Sequence, residues 1–261
     1  MPTRYRSFHA LLLLAVTFPA GKPLAADSVP VLRSQGTFHG FLVLQTLDGK
    51  SLATGDLIQI GDGDRVTSRL TFHFRDGSLD DETTVYTQRK VFQLISDHHI
   101  QRGPSFPQPL DMLVEAATGK ITSHDKDGKT IQDHFDLAPD VCNGLPLVLL
   151  LNLDPTGPPT RLSVVAPTPK PRLVHVLVTP ESEDPLTIGG VRHKATNFRI
   201  KVELGGIMGI VAPLIGKKPS DFHVWILGGE APAFVREEGQ FYEGGPLWRI
   251  ELISPVFSDT R

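Results

Sequence analysis

The sequence predicts a mostly β protein built as a large antiparallel meander. Apolar and polar residues alternate with a period of two in several segments, which is typical of half-buried strands. Glycine and proline together make up roughly 18% of the 261 residues, against about 12% in an average protein. Asp-Gly pairs between the alternating segments favour tight hairpins because glycine tolerates positive φ, and strands joined by short hairpins pair antiparallel.

Residues 1–26 have the pattern of a cleaved secretory signal peptide. Two arginines precede the apolar run 10–16, and small residues end the segment directly before Asp27. The apolar run is too short for a transmembrane helix, which needs about 20 residues; an uncleaved N-terminal anchor helix is the alternative interpretation. We therefore expect residues 27–261 to be periplasmic or secreted, with no transmembrane segment after cleavage.

Charge and cysteine content narrow the class of partner and the compartment. The formal net charge of −3 argues against nucleic acid, since phosphate binding needs a clustered excess of Lys and Arg. Cys142 is the only cysteine, so no intramolecular disulfide can form. Export without disulfides fits a bacterial envelope better than a small cross-linked extracellular domain. We interpret Cys142 as a small buried hydrophobe.

Three segments show the strand alternation most clearly. Between residues 65 and 75, Val66, Leu70, Phe72 and Phe74 would share one face, while Arg, Thr and His residues occupy the other. The same pattern returns at 192–203 and at 248–252. Turn signals separate such segments at positions 48–49, 61–64, 76–77, 118–119, 127–128 and 189–190.

Residues 145–153 interrupt this pattern because they are apolar on every side. We interpret this run as a short helix packed inside the concave face of the sheet and capped by Asp136 or Asp140, with a buried strand as the alternative. The Pro-rich stretch 154–171 is either a domain linker or a crossover to an edge strand. Since neither half has an obviously independent core, we expect a single β-rich domain over 27–261.

Ten histidines suggest a metal site, but their spacing favours none. Adjacent side chains in a strand point to opposite faces, so His98 and His99 could not easily share one ion. His134 and Asp136 have i, i+2 spacing without a third ligand that the sequence can identify. The segment Asp125–Gly128 begins like a calcium loop, but the glutamate that should close the loop is missing, which favours a hairpin tip. We expect satisfied or solvated histidines and no bound metal.

The carboxylates Asp76, Asp80, Asp81 and Glu82 lie next to a glycine-containing turn. Paired carboxylates can divide acid and base roles when burial separates their pKa values, but at a turn we interpret them as solvated. The sequence contains no Gly-x-Ser-x-Gly elbow, no P-loop and no dinucleotide fingerprint. We expect no cofactor. An enzyme is not favoured, although catalytic groups can converge from distant strands.

The segment Gly205–Gly216 is apolar, rich in glycine and followed by two lysines. It is either a buried connection or a mobile apolar flap, because glycine gives backbone freedom and Ile, Met and Leu give an apolar contact surface. Replacing Ile207, Met208 and Leu214 together with Ser separates the two interpretations. If the segment is a flap, the triple variant should lose bound ligand but stay folded. If the segment is part of the core, the same variant should unfold.

Near the end of the sequence, a segment containing Trp225 is followed by a proline-containing segment at 231–235 and by a final segment at 248–252. This ending resembles that of the periplasmic lipoprotein-carrier proteins and of related exported proteins of unknown function. The layout is similar over residues 36–254. The resemblance implies an open or half barrel around a short apolar helix, which binds acyl chains without cofactor or chemistry. The Pro-rich middle and the apolar Gly-rich segment depart from that pattern, so the resemblance assigns no individual binding residue.

We therefore expect an exported, non-enzymatic protein that binds an apolar or lipid-like small molecule in a β-enclosed cavity. The second hypothesis is a protein-interaction component of cell-envelope assembly that docks through sheet edges and the apolar segment Gly205–Gly216. The third is a hydrolase acting through carboxylates or histidines. A large internal cavity would favour the first, a filled core the second, and a convergent His/Asp/Glu cluster the third. Strand phase and helix burial suggest the following cavity lining: Phe72, Phe74, Leu147, Leu150, Met208, Leu214 and Trp225.

Overall fold

The computed structural model describes residues 27–124, 128–168, 170–188, 190–203 and 219–253. The predicted signal peptide, most of the Asp125–Gly128 turn and the Gly205–Gly216 segment lie outside these ranges. The described residues form fourteen strands and one short helix. In chain order they are β1 Phe38–Thr46, β2 Ser51–Asp62, β3 Arg65–Phe74, β4 Leu79–Gln88, β5 Phe92–Arg102, β6 Leu110–Glu115, β7 Lys120–His124, β8 Thr130–His134, α1 Pro146–Leu150, β9 Thr160–Ala166, β10 Arg172–Ile188, β11 Val191–Glu203, β12 Phe222–Leu227, β13 Ala233–Gln240 and β14 Leu247–Ile253.

All fourteen strands belong to one antiparallel sheet, in the order β8-β7-β6-β5-β4-β3-β2-β1-β14-β13-β12-β11-β10-β9. The chain runs outwards from β1 to β8, crosses to β9 at the opposite edge, and returns strand by strand to β14, which pairs with β1. Because β8 and β9 both lie at edges, the sheet of the described residues is not closed. The predicted fold class, an antiparallel meander in an open barrel with one short apolar helix, is confirmed.

The alternation predicted for residues 65–75 is present in β3. Val66, Phe72 and Phe74 are buried, whereas Arg69 and His73 on the other face are exposed. Tight turns join these strands where glycine has positive φ, for example Gly63 at φ 57° between β2 and β3. Local sequence signals therefore account for the hairpins in this half of the sheet.

The sheet curls until distant strands meet across its concave side. On β5, Gln101 donates a hydrogen bond from Nε2 to the backbone oxygen of Phe241, just after β13, at 2.8 Å. Five strands lie between β5 and β13 in the sheet order. The ring of Phe241 also contacts that of Phe72 on β3, with centroids 5.8 Å apart. The concave face thus encloses an interior, which we call the lumen.

The predicted helix forms inside this lumen, over Pro146–Leu150. Its side chains Val148, Leu149 and Leu150 are buried in the largest hydrophobic cluster of the described residues, together with inward-facing residues of both halves of the sheet. The predicted cap is wrong: the helix begins after Leu145, with no side-chain cap, several residues beyond Asp136 and Asp140. Proline in the first turn needs no amide hydrogen-bond partner, so this late start costs the helix little.

The Pro-rich stretch 154–171 contains the edge strand β9. Before the helix, the backbone of residues 141–142 forms a parallel bridge to Ser163 on this strand. The N-terminal segment 27–35 also reaches both halves of the sheet. Its backbone bonds to Lys90 and Arg161, and Asn152 accepts two of its amide hydrogens through Oδ1. The N-terminal segment therefore links the two halves of the curled sheet near α1.

Candidate functional site

A cavity of about 330 Å³ lies in the lumen between the concave face of the sheet and α1. Its size is at the lower end of the range for small-molecule sites, about 300–1,000 Å³. One part of the wall is apolar and comes from β1, β2, β3, α1 and β12 to β14. These apolar side chains include Leu42, Leu57, Leu70, Leu147, Phe222, Phe234, Phe241 and Ile250.

The other part of the wall is polar and centres on β4. Alternate residues of this strand, Asp80, Glu82, Thr84 and Tyr86, line the cavity. Inward-facing strand positions in a half-buried sheet are normally apolar, because that face packs against the core. A polar inner face on one strand is therefore a departure that core packing does not explain.

His99 on β5 forms the hydrogen-bonded centre of this polar wall. Its Nε2 lies 2.8 Å from Asp80 Oδ1, and the same oxygen accepts a hydrogen bond from Gln101 Nε2 at 2.8 Å. Burial lowers the pKa of His99, but the charge and hydrogen bond of Asp80, together with the nearby carboxylates, outweigh burial and raise it to about 9. His99 is therefore an imidazolium at neutral pH, paired with Asp80.

Glu82 and Glu237 face the cavity from opposite sides of the lumen, on β4 and β13. In the sheet, Glu237 stands between Val224 and Ile250, both apolar, and burial raises its pKa to about 7. Burial also raises the pKa of Glu82. The charge of His99 opposes this shift, and the charges of Asp80 and then Glu237 add to it. Each carboxyl is thus held in a medium that disfavours its ionised form.

Asp97 lies behind this wall on β5, next to Thr84 and Gly144. Thr84 donates its hydroxyl to Asp97 Oδ1 at 2.8 Å, whereas Oδ2 is buried without a hydrogen-bond partner. Burial, followed by the charge of Glu82, raises the pKa of Asp97 to about 8. A carboxyl with this pKa keeps its proton at neutral pH.

The interpretation of the turn carboxylates as solvated is wrong for two of the four. Asp76 lies at the turn and bonds Ser78 and Ser105, and Asp81 faces outward to Arg69 at 2.8 and 2.9 Å. Asp80 is buried and Glu82 lines the cavity. Because β4 already begins at Leu79, the period of two sends Asp80 and Glu82 inward and Asp81 outward.

His98 and His99 point to opposite faces of β5, as the strand geometry predicts. His98 faces outward to Asp111 at 2.9 Å, whereas His99 faces the cavity. His134, on the edge strand β8, is exposed. Within the described ranges, no three His, Cys, Asp or Glu side chains are arranged to hold a metal ion. Cys142 is buried against the cavity as a small apolar group, and burial raises its thiol pKa.

The predicted cavity lining is only partly brought together. Leu147 lines the cavity, and Leu150 is buried in the main core. Phe72 and Phe74 pack in a second cluster around Trp248. Trp225 lies on the opposite face of β12 from Val224 and Ile226; its Nε1 donates to Asp184 at 2.8 Å. Met208 and Leu214 lie outside the described residues.

Glu237 lines the cavity at a position that regular strand alternation does not predict. The register between β12 and β13 pairs Trp225 with Arg236 and Ile226 with Phe234, so Val235 is an extra residue in β13. This bulge turns both Val235 and Arg236 outward and brings Glu237 inward after Phe234. Regular alternation from Phe234 would have placed Arg236 and Glu238 inside.

Comparison with known proteins shows the fold alone. Neither a protein-family model nor a curated protein matches the sequence. The crystal structure of a beta-barrel-like protein of the domain of unknown function DUF1849, from Brucella abortus, is similar, with a TM-score of 0.50 and 8% identity. The match covers 85% of this chain and 98% of that one. In the part of the chain described here, no helix is both long and apolar enough to cross a membrane.

Proposed function

We propose that this protein binds a small apolar or lipid-like molecule in its lumen and performs no chemistry on it. The observation that supports this most directly is the cavity of about 330 Å³, with an apolar wall on one side and a few polar groups on the other. Binding sites for small molecules typically combine these two kinds of surface, since apolar contacts provide affinity and polar groups fix orientation. The resemblance to periplasmic lipoprotein carriers adds support for an acyl-chain ligand.

We further propose that the protein acts outside the cytoplasm, after cleavage of residues 1–26. The charged, apolar and small-residue order of that segment supports export. N-terminal sequencing of the protein from the envelope or the medium should find a start near Asp27. An intact Met1 in that fraction would refute the proposed cleavage.

The binding proposal is tested by native mass spectrometry of protein purified from its own compartment, followed by lipid extraction. A co-purifying small amphiphile is the expected result. The matched variants are Leu147→Trp, which fills the cavity, and Ile60→Trp, which adds the same ring at a position that is 56% exposed. Only Leu147→Trp should lose the bound molecule. Equal retention by both variants, with unchanged circular dichroism, would contradict binding in this cavity.

A hydrolase is the second candidate, because the cavity also brings His99, Asp80 and Glu82 together. His99 Nε2 contacts Asp80 at 2.8 Å, and its Nδ1 is 4.0 Å from Glu82 Oε1. A carboxyl with a pKa near 7, such as Glu237, could exchange protons at neutral pH. Turnover of ester or glycoside substrates that disappears in both His99→Gln and Glu237→Gln would favour this candidate over simple binding.

A further inference from the structure

The cavity contains two carboxyl groups that lack hydrogen-bond donors. The nearest cation to Glu82 is His99, whose Nδ1 is 4.0 Å away, beyond hydrogen-bonding distance, while its Nε2 is used by Asp80. Glu237 has no hydrogen bond or ion pair with any residue in the described part of the chain. Its outward-facing neighbour Glu238, by contrast, accepts a hydrogen bond from Arg249 at 2.8 Å.

These carboxyls face the same space from opposite walls of the lumen. Glu82 and Glu237 line the same cavity although four strands lie between β4 and β13 in the sheet order. Behind the polar wall, Asp97 is 1% exposed and its Oδ2 is buried without a hydrogen-bond partner. Among the described residues that line the cavity, the only basic side chain is His99, which is paired with Asp80.

Glu82 and Glu237 line the cavity, and within the described residues no protein group donates a hydrogen bond to either carboxyl, so an occupant of the cavity can supply the donor. A carboxylate of the ligand would be repelled by these groups and would bring no hydrogen. A primary ammonium offers three N–H donors and a positive charge in one compact group. A quaternary ammonium offers the charge alone.

We propose that the cavity binds a single-chain amphiphile through a primary ammonium head group, which donates hydrogen bonds to Glu82 and Glu237. The apolar chain of this ligand lies against the opposite wall, where Leu57, Leu147 and Phe241 line the cavity. The inference rests on the proposed function, because it names the chemical class of the ligand for the same cavity.

Isothermal titration calorimetry of the mature full chain at pH 7 tests the inference with octylamine, octyltrimethylammonium, 1-octanol and octanoate. The four probes share one chain and differ only in the head group. Octylamine should bind at least about tenfold more tightly than the other three, because each hydrogen bond to a charged group that forms on binding gives about a tenfold gain or more.

Three single variants separate head-group recognition from general effects. Glu82→Gln and Glu237→Gln should each weaken octylamine binding by about tenfold and leave 1-octanol binding unchanged. Glu238→Gln, one residue along β13 and on the outer face, should change neither. If Glu82→Gln does not fold, as judged by circular dichroism, Glu237→Gln alone decides, since Gln preserves its shape and removes only its charge.

The possible failures point to different errors. Equal affinities for octylamine and 1-octanol, unaffected by the Gln variants, would overturn the ammonium inference and leave the proposed binding function intact. Tighter binding of octanoate would likewise overturn it, because the carboxyls would then act as protonated donors. If none of the four probes binds, the proposed function itself fails.

Discussion

At Gly144 the segment before α1 lies close to the polar wall of the lumen, and Gly144→Ala tests that approach directly. Its φ is +65°, in the left-handed region. A Cβ at this position would overlap the hydroxyl oxygen of Thr84 and lie 2.6 Å from Asp97 Oδ1. Neither neighbour can move freely, because Thr84 and Asp97 are both buried and hydrogen-bonded to each other.

Two separate costs add up in this variant. Placing alanine in the left-handed region costs about 1–2 kcal/mol, and overpacking a filled site costs about 1–3 kcal/mol. The expected loss in the free energy of unfolding is therefore about 2–5 kcal/mol. For a domain of this size, each kcal/mol corresponds to about 2–4 °C, so the melting temperature should fall by about 4–20 °C.

Gly63→Ala is the matched control, because Gly63 has φ +57° and open space where its Cβ would be. This control should show the backbone cost alone, about 1–2 kcal/mol. Denaturant unfolding and thermal melting of both variants measure the difference. Thr84→Ala should cost less stability in the Gly144→Ala background than in the wild type, because it then also removes the overlapped hydroxyl. Equal losses for the two single variants would refute the close approach at Gly144.

Three further predictions concern other buried polar groups. Asp97 has a folded-state pKa of about 8 against 3.8 in the unfolded chain. The folded state therefore holds a proton that the unfolded chain releases, and stability should fall as the pH rises from 4 to 8. Denaturant unfolding should find Asp97→Asn more stable than wild type by several kcal/mol at pH 8 and nearly equal at pH 4. The pKa of Glu237 is raised in the same direction, to about 7 from 4.5. The same measurement should find Glu237→Gln more stable than wild type by about 3 kcal/mol at pH 8, whereas a destabilised variant would contradict the burial of Glu237. Asn152→Ala leaves the amides of Leu32 and Arg33 without their acceptor, and should cost about 2–4 kcal/mol and accelerate proteolysis of the N-terminal segment.

Most of the fold could be predicted from local patterns. The alternation at 65–75 and the Asp-Gly turns depend only on neighbouring residues, and both appear in the structure as β3 and its hairpins. The apolar run 145–153 predicts a buried element, and the helix Pro146–Leu150 occupies part of it. The start of that helix could not be predicted from a capping residue, because the helix begins after Leu145 and no side chain caps it.

The site was harder to predict because it depends on strand phase at a few positions. A shift of one residue moves every side chain of a strand to the other face. At the turn before β4, the start of the strand at Leu79 decides that Asp80 and Glu82 face inward. In β13, the bulge at Val235 decides that Glu237 faces inward. Bulges follow from pairing with a neighbouring strand, so the sequence of β13 alone does not reveal this one.

The inward carboxyls oppose the stability of the fold, which is why they bear on function. A lumen designed only for stability would have apolar residues in place of Glu82 and Glu237, since a buried carboxyl without a partner is costly. Glu237→Gln should therefore have opposite effects on two properties, raising the free energy of unfolding at pH 8 and weakening octylamine binding. A residue with a purely structural role would not improve stability when its charge is removed. A gain in stability together with a loss of binding would identify Glu237 as a residue retained for its ligand.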